Sequence, residues 1–205
     1  MIHNLLLEFF STALMILFGV GVHCDGVLNK TKYHGSGHLF AITTWAFGIT
    51  VCLYVFGGVC MNPAMVLCQT ILGLLPPGVA IPYMVADMLG AFAGALVVYV
   101  MYADQFKASE DDVDPVAIRN IFSTNPICID LIRNWFVECL DTAIFLTGIL
   151  MIVKNYGQQV PIGVGLLVWA VGMGLGGVTG FAMNQARDLG PRMAYQLLPI
   201  KNKTD

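Results

Sequence analysis

The chain has 205 residues, of which 57% are hydrophobic and only 11% charged, and its mean hydropathy is +0.75. Soluble domains carry about 25% charged residues, so this chain cannot clothe a water-facing surface and reads as an integral membrane protein. Its formal net charge of -3, with no basic cluster, excludes a nucleic-acid partner.

A spanning helix needs about 20 mostly apolar residues. The first such stretch is 5–22. It lacks a basic flank and is interrupted by Glu8, so it reads as a retained helix and not as a cleaved leader. A polar loop over 23–38 follows, with Lys30, Lys32, His23, His34 and His38. The histidine spacing matches no metal motif, and these side chains are expected on the loop surface. The second span, 39–56, leads through Gly57-Gly58-Val59-Cys60 into Met61-Asn62-Pro63-Ala64. The apolar piece after it, 63–72, is too short to cross a bilayer and is expected to be re-entrant. The third span, 81–103, carries Asp87. A polar, acidic linker over 104–133 precedes the fourth and fifth spans, 135–153 and 161–178. Met183-Asn184-Gln185-Ala186 then opens a second short piece, 185–198. Cys24, Cys52, Cys60, Cys68, Cys128 and Cys139 form no CxxC pair and read as small core residues, with no disulfide frame, metal site or cofactor implied.

The two halves repeat. The Asn-x-Ala turns correspond, and Leu7-Glu8-Phe9-Phe10-Ser11-Thr12-Ala13 corresponds to Val137-Glu138-Cys139-Leu140-Asp141-Thr142-Ala143. The expected architecture is one all-α membrane domain over 1–205, an inverted-repeat bundle. Repeat one covers 1–103, the linker 104–133 and an incomplete repeat two 134–205. It holds five full spans and two re-entrant half-helices.

The repeated residues carry the chemistry. Asn62 and Asn184 are good N-caps, and Pro63 suits the first helical position. Half-helices meeting head to head at mid-membrane converge their positive dipole ends, which disfavours cations and protons. The asparagine amide N–H groups are then available to a passing hydroxyl oxygen. Arg187, three residues after Asn184, is costly at membrane depth unless it faces a wet cavity, where it offers several donors. Glu8 and Glu138, at matching places in apolar runs, need donors. Unpaired N–H groups of the re-entrant loops suit them, which makes the acids structural braces. Proton relay is the alternative. Asp87, without a counterpart in the second half, either binds structurally or is a protonatable site.

These residues resemble the aquaporin superfamily of major intrinsic proteins, and within it the bacterial glycerol-facilitator branch, those of lactic-acid bacteria most of all. The stretch from Gly180 to Arg192 is similar to that branch's second signature, and the similarity runs through nearly the whole chain. The resemblance implies an hourglass pore built from six helices and two half-helices, four subunits per assembly, and a selectivity filter. It assigns the filter to Trp45, Gly172, Phe181 and Arg187. Gly172 would open volume, Trp45 and Phe181 would form an apolar corner, and Arg187 would bind hydroxyls. The central half-helix caps are Asn62, Pro63 and Ala64 in one loop and Asn184, Gln185 and Ala186 in the other. Gln185 stands where the family has proline, and the turn before Met61 is shortened, which puts Cys60 near the channel. The polar tail 201–205 cannot span, so this reading treats the chain as truncated before the sixth helix, with its termini on opposite faces. Lys and Arg counting puts the linker inside. The resemblance puts it outside and the N-terminus in the cytoplasm, within a multi-pass protein of the cell membrane.

The function so implied is passive diffusion of glycerol and other small neutral solutes, such as dihydroxyacetone, water and lactic acid, across the lipid bilayer by a homotetramer without catalysis. Two other readings fit the same pattern. Inverted repeats with broken helices also build proton-coupled secondary transporters, and a chain short of one helix could be a non-conducting remnant. No nucleophile–base pair, phosphate loop or metal cluster suggests an enzyme.

Overall fold

The computed structural model describes residues 1–157, 161–201 and 203–204. Among these the chain is helical, with no strand: α1 (Ile2–Val27), α2 (Gly37–Phe56), α3 (Pro63–Ile71), α4 (Pro77–Met101), α5 (Ala103–Ser109), α6 (Pro115–Phe122), α7 (Leu131–Tyr156), α8 (Pro161–Gly174) and α9 (Gln185–Leu197). Four of them, α1, α2, α4 and α7, are long and apolar enough to cross a membrane. The fifth expected span is shorter than its apolar run: α8 has 14 residues and gives way to turns over 175–179. Gly174, Gly176 and Gly177 weaken the helix there.

Glycines set the helix spacing. Between apolar helices in lipid there is little hydrophobic drive, so close backbone approach and packing decide the contacts. Gly90 and Gly94 of α4 lie on the α1 backbone. A Cβ at Gly94 would sit 2.6 Å from the Ala13 carbonyl oxygen, and one at Gly90 would overlap that of Phe9. Gly165 brings α8 onto Ala46 and Thr50 of α2, and Gly190 brings α9 onto Ala91 of α4. The half-helix α9 is thereby seated on the first half of the molecule.

The linker departs from the expected polar loop. It folds into α5 and α6 and contributes Phe106, Ile118, Ile121 and Phe122 to the core. Phe122 stacks on Phe106 at 5.8 Å and lies 5.5 Å from the Tyr195 ring of α9. The Asn29 N–H donates to Ser109 Oγ at 2.9 Å, so the loop after α1 and the linker share one face of the bundle. Lys30, Lys32 and Lys107, which flank this bond in the chain, therefore lie toward that face.

The halves differ in burial. Ten residues of α1 are buried, from Glu8 to Cys24, against two of its counterpart α7, Asp141 and Phe145. The face of α7 equivalent to the one α4 covers on α1 includes exposed Cys139 and Ala143.

Candidate pore and selectivity filter

Each half-helix starts as its sequence dictates. Asn62 is extended, and its Oδ1 accepts the Ala64 N–H at 2.9 Å, with Pro63 in the first turn. Asn184 has the same backbone, and its Oδ1 accepts the N–H groups of Ala186 at 3.0 Å and Arg187 at 3.2 Å. Gln185 thus occupies the proline-like first position without loss of the cap.

The caps also tie the two loops together. Asn62 Nδ2 donates to the Met183 carbonyl at 2.9 Å, and Asn184 Nδ2 donates to the Met61 carbonyl at 2.7 Å. Met61 and Met183 both take left-handed backbones, with φ of 52° and 49°. This conformation is unfavourable for a non-glycine residue. It turns each carbonyl toward the opposite asparagine, and the hydrogen bond repays the strain. One of the two donors of each amide is therefore committed to the fold, a smaller free donor set than two unengaged amides.

Acids hold the approaches to both loops. Glu8, fully buried in α1, accepts the Cys60 N–H at 2.9 Å and the Met61 N–H at 2.9 Å. Glu138 of α7 accepts the N–H groups of Ala182 and Met183, each at 3.1 Å, together with the Thr179 hydroxyl. A carboxylate bonded by several donors is stabilised where an isolated one is not. Asp87, also fully buried, accepts from the Thr12 hydroxyl at 3.0 Å, joining α4 to α1.

A cavity of about 410 Å³ runs along this seam. One end lies by Gly57, Gly157 and Pro161. Its wall passes Cys60, Gln69, Phe145, Asn62 and Asn184 and reaches Trp45, Phe181 and Arg187. The Arg187 guanidinium lies over the Trp45 ring, 4.5 Å from its centroid, and Arg187 makes no ion pair among the described residues. Its neighbour Asp188 turns elsewhere. Asp188 Oδ1 accepts from the backbone and hydroxyl of Thr124, at 2.6 and 2.9 Å, and its Oδ2 pairs with Arg192 at 3.2 Å. Arg192 also donates to the Thr124 carbonyl at 2.9 Å. Thr124 in turn packs on Gly180, whose φ of 92° admits the bend into Phe181.

Gly172 is not on the cavity wall. A Cβ there would meet Ile42 Cγ2 at 2.8 Å and Phe181 Cζ at 3.1 Å. The space expected to serve the solute is filled by Ile42 and the Phe181 ring, so Gly172, together with Gly176, lets α8 lie close against them. His23 also differs from its expectation. It belongs to the last turns of α1, half-buried, and its Nε2 faces Trp45 Nε1 at 3.1 Å. The signal for it is register: His23 lies four residues after Gly19, where a Cβ would overlap the Trp45 indole. Of the other two histidines of the expected loop, His34 bonds the Leu28 carbonyl at 3.0 Å and His38 is exposed in α2. No metal-binding cluster occurs among the described residues.

Two loops joined at mid-bundle, a cavity past both caps and an arginine facing aromatics define a membrane protein of the aquaporin fold. The sequence profile of the major intrinsic protein family matches residues 1–200. The chain belongs to that family. It is similar to glycerol uptake facilitator protein 4 of Lactiplantibacillus plantarum, with 65% identity over 207 residues covering 100% of this chain and 87% of that protein. It is also 61% identical to the D/L-lactic acid transporter of the same organism, with the same coverage. Among solved structures, the aquaglyceroporin of Plasmodium falciparum superposes with a TM-score of 0.82 at 24% identity, covering 98% of this chain and 84% of that one.

Proposed function

We propose that this chain is a passive channel for glycerol and other small neutral solutes. The observation that carries the reading is the continuous cavity from Gly57 past Asn62 and Asn184 to Trp45, Phe181 and Arg187. At the filter, a polyol packs its carbon edge on Trp45 and Phe181 and bonds its hydroxyls to Arg187. At the centre it meets the remaining amide donor of Asn62 and of Asn184. Arg187 and the converging ends of α3 and α9 repel cations. Glu8 and Glu138 are engaged by backbone donors, which favours uncoupled flux over proton coupling. No covalent step or cofactor is involved. The protein works in the cell membrane as a multi-pass homotetramer with its N-terminus in the cytoplasm.

The names of the two bacterial relatives support glycerol first and undissociated lactic acid second, with water and dihydroxyacetone as further passengers. Osmotic light scattering on proteoliposomes tests the reading. Glycerol entry that rises linearly with its gradient and ignores an imposed pH gradient is the expected result. Saturating, pH-driven entry would replace the channel with a coupled transporter, and no entry by folded, incorporated protein would leave a non-conducting chain.

A further inference from the structure

We infer that His23 is a positioning residue of the filter: by accepting the Trp45 indole N–H it fixes the ring that Arg187 faces and keeps that N–H away from solutes. The inference rests on the channel reading for its consequence, and on geometry for the bond itself.

The Trp45 ring is held on three sides. Its six-membered edge lies in the notch that Gly19 leaves, where any Cβ would overlap it. Its face carries the Arg187 guanidinium at 4.5 Å. Its single polar atom, Nε1, meets His23 Nε2 at 3.1 Å, with the two rings tilted by 51°. Trp45 is 4% exposed, so this N–H has little water to bond. An indole nitrogen only donates, and a buried donor without an acceptor is costly. The bond also fixes the histidine tautomer: Nε2 must be the bare nitrogen, and in the neutral ring the proton sits on Nδ1.

The consequence for selectivity follows from what the indole would otherwise do. Without His23 the buried N–H would need another acceptor, and the cavity that Trp45 lines is where a solute could supply one. The wall would then present a donor in place of an apolar face, and Arg187 would lose the flat surface it lies on. Water and other small acceptors would gain relative to a polyol, whose carbon edge needs an apolar wall. His23 therefore tunes the ratio of glycerol to water and contacts neither.

The test pairs His23→Gln, whose Oε1 can take the place of Nε2, with His23→Leu, which has no acceptor. Glycerol and water permeabilities are measured in proteoliposomes at matched amounts of folded protein. The Trp45 indole N–H resonance is followed in 15N-tryptophan-labelled chain carrying Trp135→Phe and Trp169→Phe. We expect His23→Leu to shift the resonance upfield and to lower the glycerol-to-water ratio about fivefold, the scale of one lost hydrogen bond. His23→Gln should restore both toward wild type. An unmoved resonance in His23→Leu overturns the bond, and a moved resonance with an unchanged ratio overturns the role in selectivity. A wild-type chain that conducts no glycerol overturns the channel reading instead, and the resonance still decides the bond.

Discussion

The first re-entrant loop hangs from a buried helix and the second from an exposed one, yet both are built alike. Glu8 reaches the N–H groups before Asn62 from α1, which α4 covers along its length. Glu138 reaches those before Asn184 from α7, of which only Asp141 and Phe145 are buried. Each asparagine then bonds the carbonyl before the other. A local device of acid, left-handed methionine and capping asparagine thus survives a large difference in surroundings. What the second half lacks in packing around α7 is offset by the seating of α9 on α4 and the linker, through Gly190, Asp188 and Arg192.

The largest contrast should come from helix contacts. Gly94→Leu drives a side chain into the Ala13 backbone and should destabilise by about 3 kcal/mol or more. Ala143→Leu, on the corresponding exposed face of α7, should stay within about 0.5 kcal/mol of wild type. Thermal unfolding in detergent measures both, and equal losses would mean that α7 is covered as α1 is.

The braces should differ less. Replacing Glu8 by Gln puts an amide donor against backbone donors at a buried site and should cost about 2 kcal/mol. Glu138→Gln, at a half-buried site, should cost less in the same unfolding series. A reversed order would show that the second loop depends on its acid more than burial implies.

The central tie should be smaller again and shared. Asn62→Ala and Asn184→Ala should each remove a cap, about 1 kcal/mol. Because each also frees a carbonyl of the other loop, the double variant should depart from additivity by about 0.5 kcal/mol or more in a double-mutant cycle. Strict additivity would mean that the loops are independent.

The residues most readable from sequence were those whose chemistry is repeated. Two asparagines at matching turns and two acids in apolar runs have few ways to satisfy their hydrogen bonds, so a partner could be named for each. The membrane class and the four long helices were legible for the same reason, since apolar length leaves little choice. Other features were not. The linker's polar composition hid Phe106, Ile118 and Phe122, which join the core, Phe122 against the Tyr195 ring. Gly172 marks a missing side chain, and sequence does not say that Ile42 and Phe181 fill its place. His23 follows an apolar run and precedes a polar loop, and only the meeting of α1 with α2 reveals that it faces Trp45.

A structure determined with glycerol in the pore is the most direct test of the central claim that one solute path passes both asparagine caps and the filter. The account predicts a polyol with its hydroxyls on Arg187 and its carbon edge on Trp45 and Phe181, and a second position bonded by the free amide donors of Asn62 and Asn184. Glycerol bound only elsewhere, touching neither Arg187 nor the second amide donor of Asn62 or Asn184, would contradict it.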